Sequence, residues 1–257
     1  MSLPKYKVHG EEGIPVLFLG GMMQPHKLLG PFVDMAVADG FQIIRVGYRG
    51  HHEGEKESFF IEDIIDDAIK VLDHLQIQKI GVIGEALGGT LALSMAIKYP
   101  NRITSLCVNG VISKKDPAIA SDFFKWFKTL ENEGLEQFIS QIMPKMFGNE
   151  WEKNNREEVI SITKDLAYQR TKYGLLELIK SAQKFRLSEA ELMCIKMPIL
   201  VIKSKYDRIV TPEHAQNLHN LLQNSQLEEF ECGHAVSIEC PEQMLESYEK
   251  FIFSLAR

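Results

Sequence analysis

The sequence feature with the clearest chemical meaning is a glycine-rich turn between a predicted strand and a predicted helix. It lies within residues 79–99, and its residues 84–89 read Gly-Glu-Ala-Leu-Gly-Gly. Glycines on both sides let the chain bend sharply, so the central residue is held in a strained conformation at the edge of the sheet. The helix that follows supplies free N–H groups and the positive end of its dipole. These conditions favour a nucleophile, normally serine, but the central residue of this chain is Ala86.

An acid and a base lie further along the chain, on either side of the last predicted strand. Asp207 and His234 are 234 − 207 = 27 residues apart. A histidine oriented by a carboxylate can take and return a proton during attack on a carbonyl carbon. Each residue also has a simpler explanation, because Asp207 could cap the helix that begins near Pro212 and His234 could be a solvated loop histidine. We favour the paired interpretation, since both residues lie where a parallel sheet would bring such a pair together.

These residues can act together only if a parallel sheet brings the carboxyl ends of its strands to one edge. Short apolar runs alternate with helical patterns in the first and last parts of the chain, at the spacing of βαβ units. The alternation predicts an α/β fold with a mostly parallel sheet and helices on both faces. Ser58 is predicted to cap the helix that begins near residue 61. Strands are predicted at residues 16–19, 42–46, 79–83, 103–109, 198–203 and 227–230, and further helices at 31–39, 87–99, 212–222 and 241–255.

The pattern changes between residues 113 and 192. This stretch contains no strand-like run, and its aromatic residues and methionines are spaced among lysines and glutamates, which is typical of amphipathic helices. We therefore predict a core domain formed by residues 1–112 and 193–257, interrupted by a helical cap at residues 113–192.

Five short motifs, in this order, resemble the α/β-hydrolase superfamily over nearly the whole chain. Gly20-Gly21-Met22 looks like the oxyanion loop, although the usual His-Gly start is Gly-Gly here, and Tyr-Arg-Gly-His at 48–51 is similar to the segment after the next strand. Residues 84–89 match the nucleophile turn apart from its nucleophile. Residues 206–212 match the acid-bearing loop, and residues 233–242 match the histidine loop and the start of the last helix.

The resemblance implies acyl transfer by a nucleophile, a histidine and an acid. Ala86 occupies the nucleophile position, His234 is the general base and acid, and Asp207 orients the imidazole. The backbone N–H groups of Met22 and Leu87 are expected to form the oxyanion hole. Removing the nucleophile of such a triad costs on the order of 10⁶ in rate, so we expect this chain to bind substrate and to turn it over poorly or not at all.

The resemblance also implies that the cap covers the site and that the substrate is a small, largely apolar ester, lactone or thioester. Most of the cap's aromatic residues and methionines are expected to pack in its own interior instead of lining the pocket. The residues predicted to bind substrate are Met23, Trp126, Phe127, Met143, Met146 and Phe147.

Ala86 leaves more than one hypothesis open. We favour a hydrolase whose serine has been replaced by alanine so that an intact ligand can be trapped. The alternative is a natural, non-catalytic relative that binds a small molecule or a partner protein. A further option is a lyase or C–C hydrolase that uses the same groups on a different bond.

Composition excludes several other classes of protein. The 29 basic and 35 acidic residues give a net charge of −6 and a pI near 5.8, which argues against binding to nucleic acid or to a membrane surface. No apolar run approaches the roughly 18 residues of a membrane span, and the first residues do not resemble a secretory signal. Four cysteines without C-x-x-C spacing predict reduced thiols in a cytoplasmic protein. We expect the protein to be either a monomer or a homodimer.

The sequence predicts neither a metal nor a cofactor. His26 and the cluster of His51, His52, Glu53 and Glu55 lack the helical or C-x-x-C spacing of a preformed metal site, so a polar loop is the preferred interpretation. The glycine-rich turn also lacks the Lys-Ser/Thr of a phosphate-binding P-loop.

Overall fold

The fold is built on one mostly parallel sheet with helices on both faces. A computed structural model describes residues 3–24, 30–50, 58–169 and 171–255, without the side chains of residues 167–169. The strands are hydrogen-bonded in the order β1-β3-β2-β4-β5-β6-β7. β1 is antiparallel to β3, and the other neighbouring strands are parallel. Their bounds are β1 Tyr6–His9, β2 Ile14–Leu19, β3 Phe41–Val46, β4 Ile80–Glu85, β5 Ile103–Asn109, β6 Ile199–Ser204 and β7 Ser225–Phe230.

One set of helices connects the parallel strands or follows the last of them, and a further group of helices lies between β5 and β6. The first set comprises α1 Gly30–Ala38, α2 Ile61–His74, α3 Leu87–Lys98, α10 Pro212–Leu221, α11 Val236–Glu239 and α12 Pro241–Ser254, with a short 3-10 helix at Pro100–Arg102. The second set comprises α4 Pro117–Asn132, α5 Leu135–Met146, α6 Asn149–Asn154, α7 Arg156–Gln169, α8 Lys172–Lys184 and α9 Glu189–Met193.

The sheet is buried on both faces, as its continuous apolar strands require. Successive side chains of β2 point to opposite faces, so Val16 and Phe18 join the apolar cluster under α1 and α12. Leu17 and Leu19 join the cluster under α2, α3 and α10. The two apolar clusters hold the sheet between the helices. Because strands β2 to β7 are parallel, their carboxyl ends lie at the same edge of the sheet.

The fold class predicted from the sequence is confirmed, with two differences in detail. The prediction omitted β1, a four-residue edge strand that pairs Tyr6 with Val46. The predicted capping role of Ser58 is wrong, because Phe60 is the N-cap residue of α2. The Ser58 hydroxyl instead donates to Glu177 Oε2 at 2.9 Å.

We call residues 113–192 the cap segment, and its division from the rest of the chain remains a prediction. Its described residues contain helices and no strand. Asp116 begins α4 by accepting hydrogen bonds from the N–H groups of Ala118 and Ile119 at 2.8 and 3.1 Å, as an N-cap aspartate does. The segment has its own buried apolar cluster, which includes Leu130, Phe138 and Phe147. Among the described residues, no helix is both long and apolar enough to cross a membrane.

Candidate active site

The turn between β4 and α3 holds Ala86 in a left-handed backbone conformation. Its φ of 52° and ψ of −113° are unusual for a residue with a Cβ. The Ala86 N–H donates to the carbonyl of Asn109 in the neighbouring strand at 2.9 Å. A Cβ at Gly84 would lie 2.5 Å from the carbonyl oxygen of Gly88, so only glycine allows this close approach. The turn is therefore sharp and strained, as the predicted nucleophile position requires, and it has a methyl group at its centre.

Asp207 and His234 form the pair that their spacing predicts. Asp207 Oδ2 lies 2.7 Å from His234 Nδ1, and both residues are buried. Asp207 Oδ1 accepts the N–H groups of Ile209 and Val210 at 2.8 and 2.9 Å, which fixes the carboxylate in its loop. The alternative role of Asp207 as a cap of α10 is not observed, because Thr211 holds that position.

Burial and charge act in opposite directions on His234. Desolvation of the buried ring lowers the pKa of His234, but the charge and hydrogen bond of Asp207, together with the charges of Glu85 and Glu239, outweigh it. The net result is a pKa of His234 raised above its ordinary value of 6.5. The carboxylate thus favours the imidazolium that forms when a general base accepts a proton.

Gly110 brings His234 and Ala86 close to each other. A Cβ at Gly110 would lie 2.9 Å from His234 Cε1 and 3.5 Å from Ala86 Cα. Gly110 also has a φ of +62°, which favours glycine. The imidazole and the centre of the turn therefore both lie within 3.5 Å of the point that a side chain at position 110 would occupy.

The loop after β2 lies against the turn, as the predicted oxyanion hole requires. A Cβ at Gly21 would lie 3.5 Å from the methyl group of Ala86. Tyr48 holds the start of this loop by donating its hydroxyl to the carbonyl of Gly20 at 2.8 Å. Leu87 is the first residue of α3, where N–H groups have no acceptor within the helix. Met22 and Leu87 both line the cavity at this point, and their role as the oxyanion hole remains a prediction.

A buried polar network joins the loops that carry the site. Glu85 Oε1 accepts the N–H of Ser237 at 2.9 Å, and Oε2 accepts its hydroxyl at 2.6 Å. Gln24 donates to Glu85 Oε2 at 2.7 Å and to Ser237 Oγ at 2.9 Å, while its own oxygen accepts the N–H of Gly21 at 2.9 Å. Burial raises the pKa of Glu85, and the hydrogen bonds from Ser237 and Gln24 offset part of that rise.

Sequence reasoning assigned no role at the site to Glu85, Gln24 or Ser237. The partners of Glu85 are 61 and 152 residues away in the chain. A usable signal was the carboxylate itself, because an acid at the end of a buried strand needs hydrogen-bond donors.

A cavity of about 1130 Å³ opens over Ala86 and His234, between the sheet and the cap segment. Apolar side chains form most of its lining. The predicted substrate-binding residues that line it are Met23, Trp126, Met143, Met146 and Phe147.

Phe127 is not among the described residues that line this cavity, so its prediction as a substrate-binding residue is not supported by its position. It follows Trp126 on α4, and one residue along a helix turns the side chain by about 100°. Its ring lies instead near the ammonium groups of Lys128 and Lys180, at 5.8 and 5.9 Å from the centroid.

The cap segment is hydrogen-bonded to both loops that carry the acid and the base. The carbonyl of Met146 accepts the N–H groups of His234 and Ala235 at 2.9 and 3.2 Å. Arg208, next to Asp207, donates to the carbonyls of Pro144 and Phe147. These contacts fix the end of α5 directly over the acid–base pair.

A carboxylate adds a second link between the cap segment and the histidine loop. Glu239 accepts the N–H of Gly148 at 2.9 Å and the N–H of Gly233 at 3.0 Å. Burial raises the pKa of Glu239, and these backbone hydrogen bonds act against that rise.

The histidines and glutamates considered as metal ligands, His26, His51, His52, Glu53 and Glu55, lie outside the described residues. Within the described ranges, no group of three or more His, Cys, Asp or Glu side chains could hold a metal ion. Of the motif at residues 48–51, the described part is structural, since Arg49 Nε donates to Asp67 Oδ2 at 2.6 Å.

Comparisons with known proteins agree with this geometry. A sequence model of the alpha/beta hydrolase fold matches residues 14–241. The 3-oxoadipate enol-lactonase 1 of Acinetobacter baylyi is 22% identical over 254 residues, which cover 97% of this chain and 92% of that protein.

Solved structures show the same fold at lower sequence identity. The enol-lactonase from Burkholderia xenovorans superposes with a TM-score of 0.88 at 19% identity, covering 97% of this chain and 96% of that one. A thermophilic esterase from Thermogutta terrifontis superposes with a TM-score of 0.87 at 20% identity, covering 97% and 93%.

Proposed function

Because the chain belongs to the alpha/beta hydrolase family, we propose that its site is built for acyl transfer from carboxylic esters, lactones or thioesters. Ala86 takes the place of the attacking serine, so the chain as it stands binds substrate and turns it over poorly or not at all. The observation that carries the proposal is the Asp207–His234 pair, joined at 2.7 Å, beside a strained turn centred on Ala86.

The geometry supports a defined role for each group. With Nδ1 of His234 engaged by Asp207, Nε2 is the ring nitrogen left to take a proton from a nucleophile and to return it to the leaving group. The N–H groups of Met22 and Leu87, which both line the cavity, are assigned to stabilise the oxyanion of the tetrahedral intermediate. A serine at position 86 would supply the hydroxyl that the methyl group lacks.

The names of three of the compared proteins are consistent with this chemistry. The Acinetobacter baylyi relative and the Burkholderia xenovorans neighbour are both named enol-lactonases, and the Thermogutta terrifontis neighbour is named an esterase. Lactones and esters share the acyl–oxygen bond that a nucleophile–histidine–acid triad cleaves.

Restoring the hydroxyl tests the proposal. In the Ala86→Ser variant, we expect hydrolysis of short p-nitrophenyl esters and covalent labelling by a fluorophosphonate probe. The rate should exceed that of the parent chain by several orders of magnitude, up to about 10⁶.

The double variant Ala86→Ser/His234→Gln is the matched control. It keeps the serine and lacks the base, so it should lose both turnover and labelling. A folded Ala86→Ser protein that neither turns over esters nor reacts with the probe would overturn the proposal.

A further inference from the structure

The cavity is larger than a short ester needs. An ester of about six to eight heavy atoms fills the space of as many water molecules, at roughly 30 Å³ each, or about 200 Å³. The cavity measures about 1130 Å³, slightly above the roughly 300–1,000 Å³ range of small-molecule sites. We propose that the site takes acyl compounds with a long apolar chain of about eight or more carbons. The bond that is attacked follows from the proposed function. The length of the apolar chain of the ligand is inferred from the cavity.

Helix α5 leads from the catalytic histidine into the inner part of the cavity. Its last residue, Met146, accepts the N–H of His234 at 2.9 Å. The helix then runs back into the cap segment through Met143 and Ile142 to Phe138, and all four α5 residues line the cavity. We call this part of the cavity the inner branch, and it begins at the acid–base pair.

The walls of the inner branch suit hydrocarbon. Ile162 and Leu166 of α7 and Ile179 of α8 line the cavity, and each is at most 3% exposed. Every described residue of α4, α5 and α7 that lines the cavity has an aliphatic, aromatic or methionine side chain. An ordered water needs two to four polar partners, so these walls favour a methylene chain over water.

The polar side chains of the lining belong to segments other than α4, α5 and α7. The connection between β5 and α4 begins at Gly110, beside the imidazole, and continues to the exposed side chains of Lys114 and Lys115. Arg186, in the connection that follows α8, also lines the cavity and is exposed. We call the part of the cavity lined by these exposed side chains the outer part. The polar end of an amphiphilic compound therefore fits this outer part, while its chain extends along α5.

The chain as it stands allows a direct test, because Ala86 should prevent consumption of the ligand. We would titrate it with saturated fatty acids of 4 to 14 carbons by calorimetry, below their micelle concentrations. Each added methylene should lower Kd about three- to fourfold, until the inner branch is filled. Affinity that does not change with chain length, or no binding of the 12-carbon acid, would overturn the proposal.

A substitution in the inner branch tests whether the hydrocarbon chain of the ligand binds there. Ile162→Trp should weaken binding of the 12-carbon acid at least tenfold and leave the 6-carbon acid unchanged. Ile160→Trp, two residues earlier on α7 and 54% exposed, is the matched control and should change neither. If both variants bind the 12-carbon acid like the parent, the chain does not lie in the inner branch and the proposal fails.

The two proposals fail separately. Turnover of short esters by Ala86→Ser without chain-length dependence would leave the acyl-transfer proposal standing and overturn this one. Should Ile162→Trp fail to fold, the fatty-acid series on the parent chain still decides the question.

Discussion

Ser237 donates both its backbone N–H and its hydroxyl to the carboxylate of Glu85, at 2.9 and 2.6 Å. Ser237 lies three residues after His234, and Glu85 immediately precedes Ala86. Since Gln24 ties the loop after β2 to the same carboxylate, one buried acid sets the relative positions of three loops. The nucleophile turn, the histidine loop and the predicted oxyanion loop are therefore expected to move together or not at all.

Replacing Glu85 should change the acidity of His234. The negative charge of Glu85 is among the groups that raise the pKa of His234, so Glu85→Gln should lower that pKa. An NMR titration of the imidazole in the parent chain measures it without any need for turnover.

Glu246→Gln is the control for this titration. Glu246 is a surface residue of α12 whose side chain is 67% exposed, and solvent and salt screen such charges. An unchanged pKa of His234 in a folded Glu85→Gln protein would contradict the role of Glu85.

The activity of Ala86→Ser should depend on pH through His234. Only the neutral imidazole can take the proton of a serine, and the pKa of His234 is raised above 6.5. We therefore expect kcat/KM to increase with pH through a midpoint above 6.5 and then to level off. A midpoint below 6.5 would show that another group limits the reaction.

Asp207 should matter for rate far more than for binding. In the Ala86→Ser background, Asp207→Asn should reduce kcat about 10⁴-fold, because an amide favours the wrong tautomer of the imidazole. Binding of fatty acids by the parent chain, compared with that of the single variant Asp207→Asn, should change little. Equal losses of affinity and rate would indicate that Asp207 shapes the cavity and does not orient the base.

Adding a side chain at Gly110 should reduce the activity of the Ala86→Ser variant. Gly110→Ala forces a Cβ to within 2.9 Å of His234 Cε1 at a φ of +62°, and misplacing a catalytic group by about 1 Å can cost about 10²-fold in rate. In the Ala86→Ser background we therefore expect about a 10²-fold loss of kcat/KM.

Gly134→Ala separates backbone strain from displacement of the histidine. Gly134 also has a positive φ, +97°, but a Cβ there would meet no atom within 4 Å. Both variants should lose about 1–2 kcal/mol of unfolding free energy, measured by denaturant titration. Similar kcat/KM values for the two would refute the steric explanation.

The parts of the molecule that were predictable from sequence are those with local signals. The alternation of apolar runs and helical patterns predicted the parallel sheet, because strands buried on both faces read as continuous apolar segments. The turn around Ala86 was also recognisable, since its glycines are needed for close contact within a few residues.

Other parts depend on contacts between distant residues. β1 has only four residues and is stabilised by pairing with β3 at the edge of the sheet, so it has little pattern of its own. The hydrogen bonds of Glu85 join residues far apart in the chain. The direction of Phe127 follows from how α4 packs in the cap segment, and the volume of the cavity depends on how several helices are arranged around it.

The carbonyl of Met146 has a consequence for how the cavity is entered. It accepts the amide hydrogens of both His234 and Ala235, so these two amides are shielded from solvent as long as the end of α5 stays in place. If α5 lifts to admit a ligand, both amides become free to exchange with deuterated water at the rate of that opening. The deuterium uptake of residues 234 and 235 would then report the rate of ligand entry at the histidine proposed as the general base.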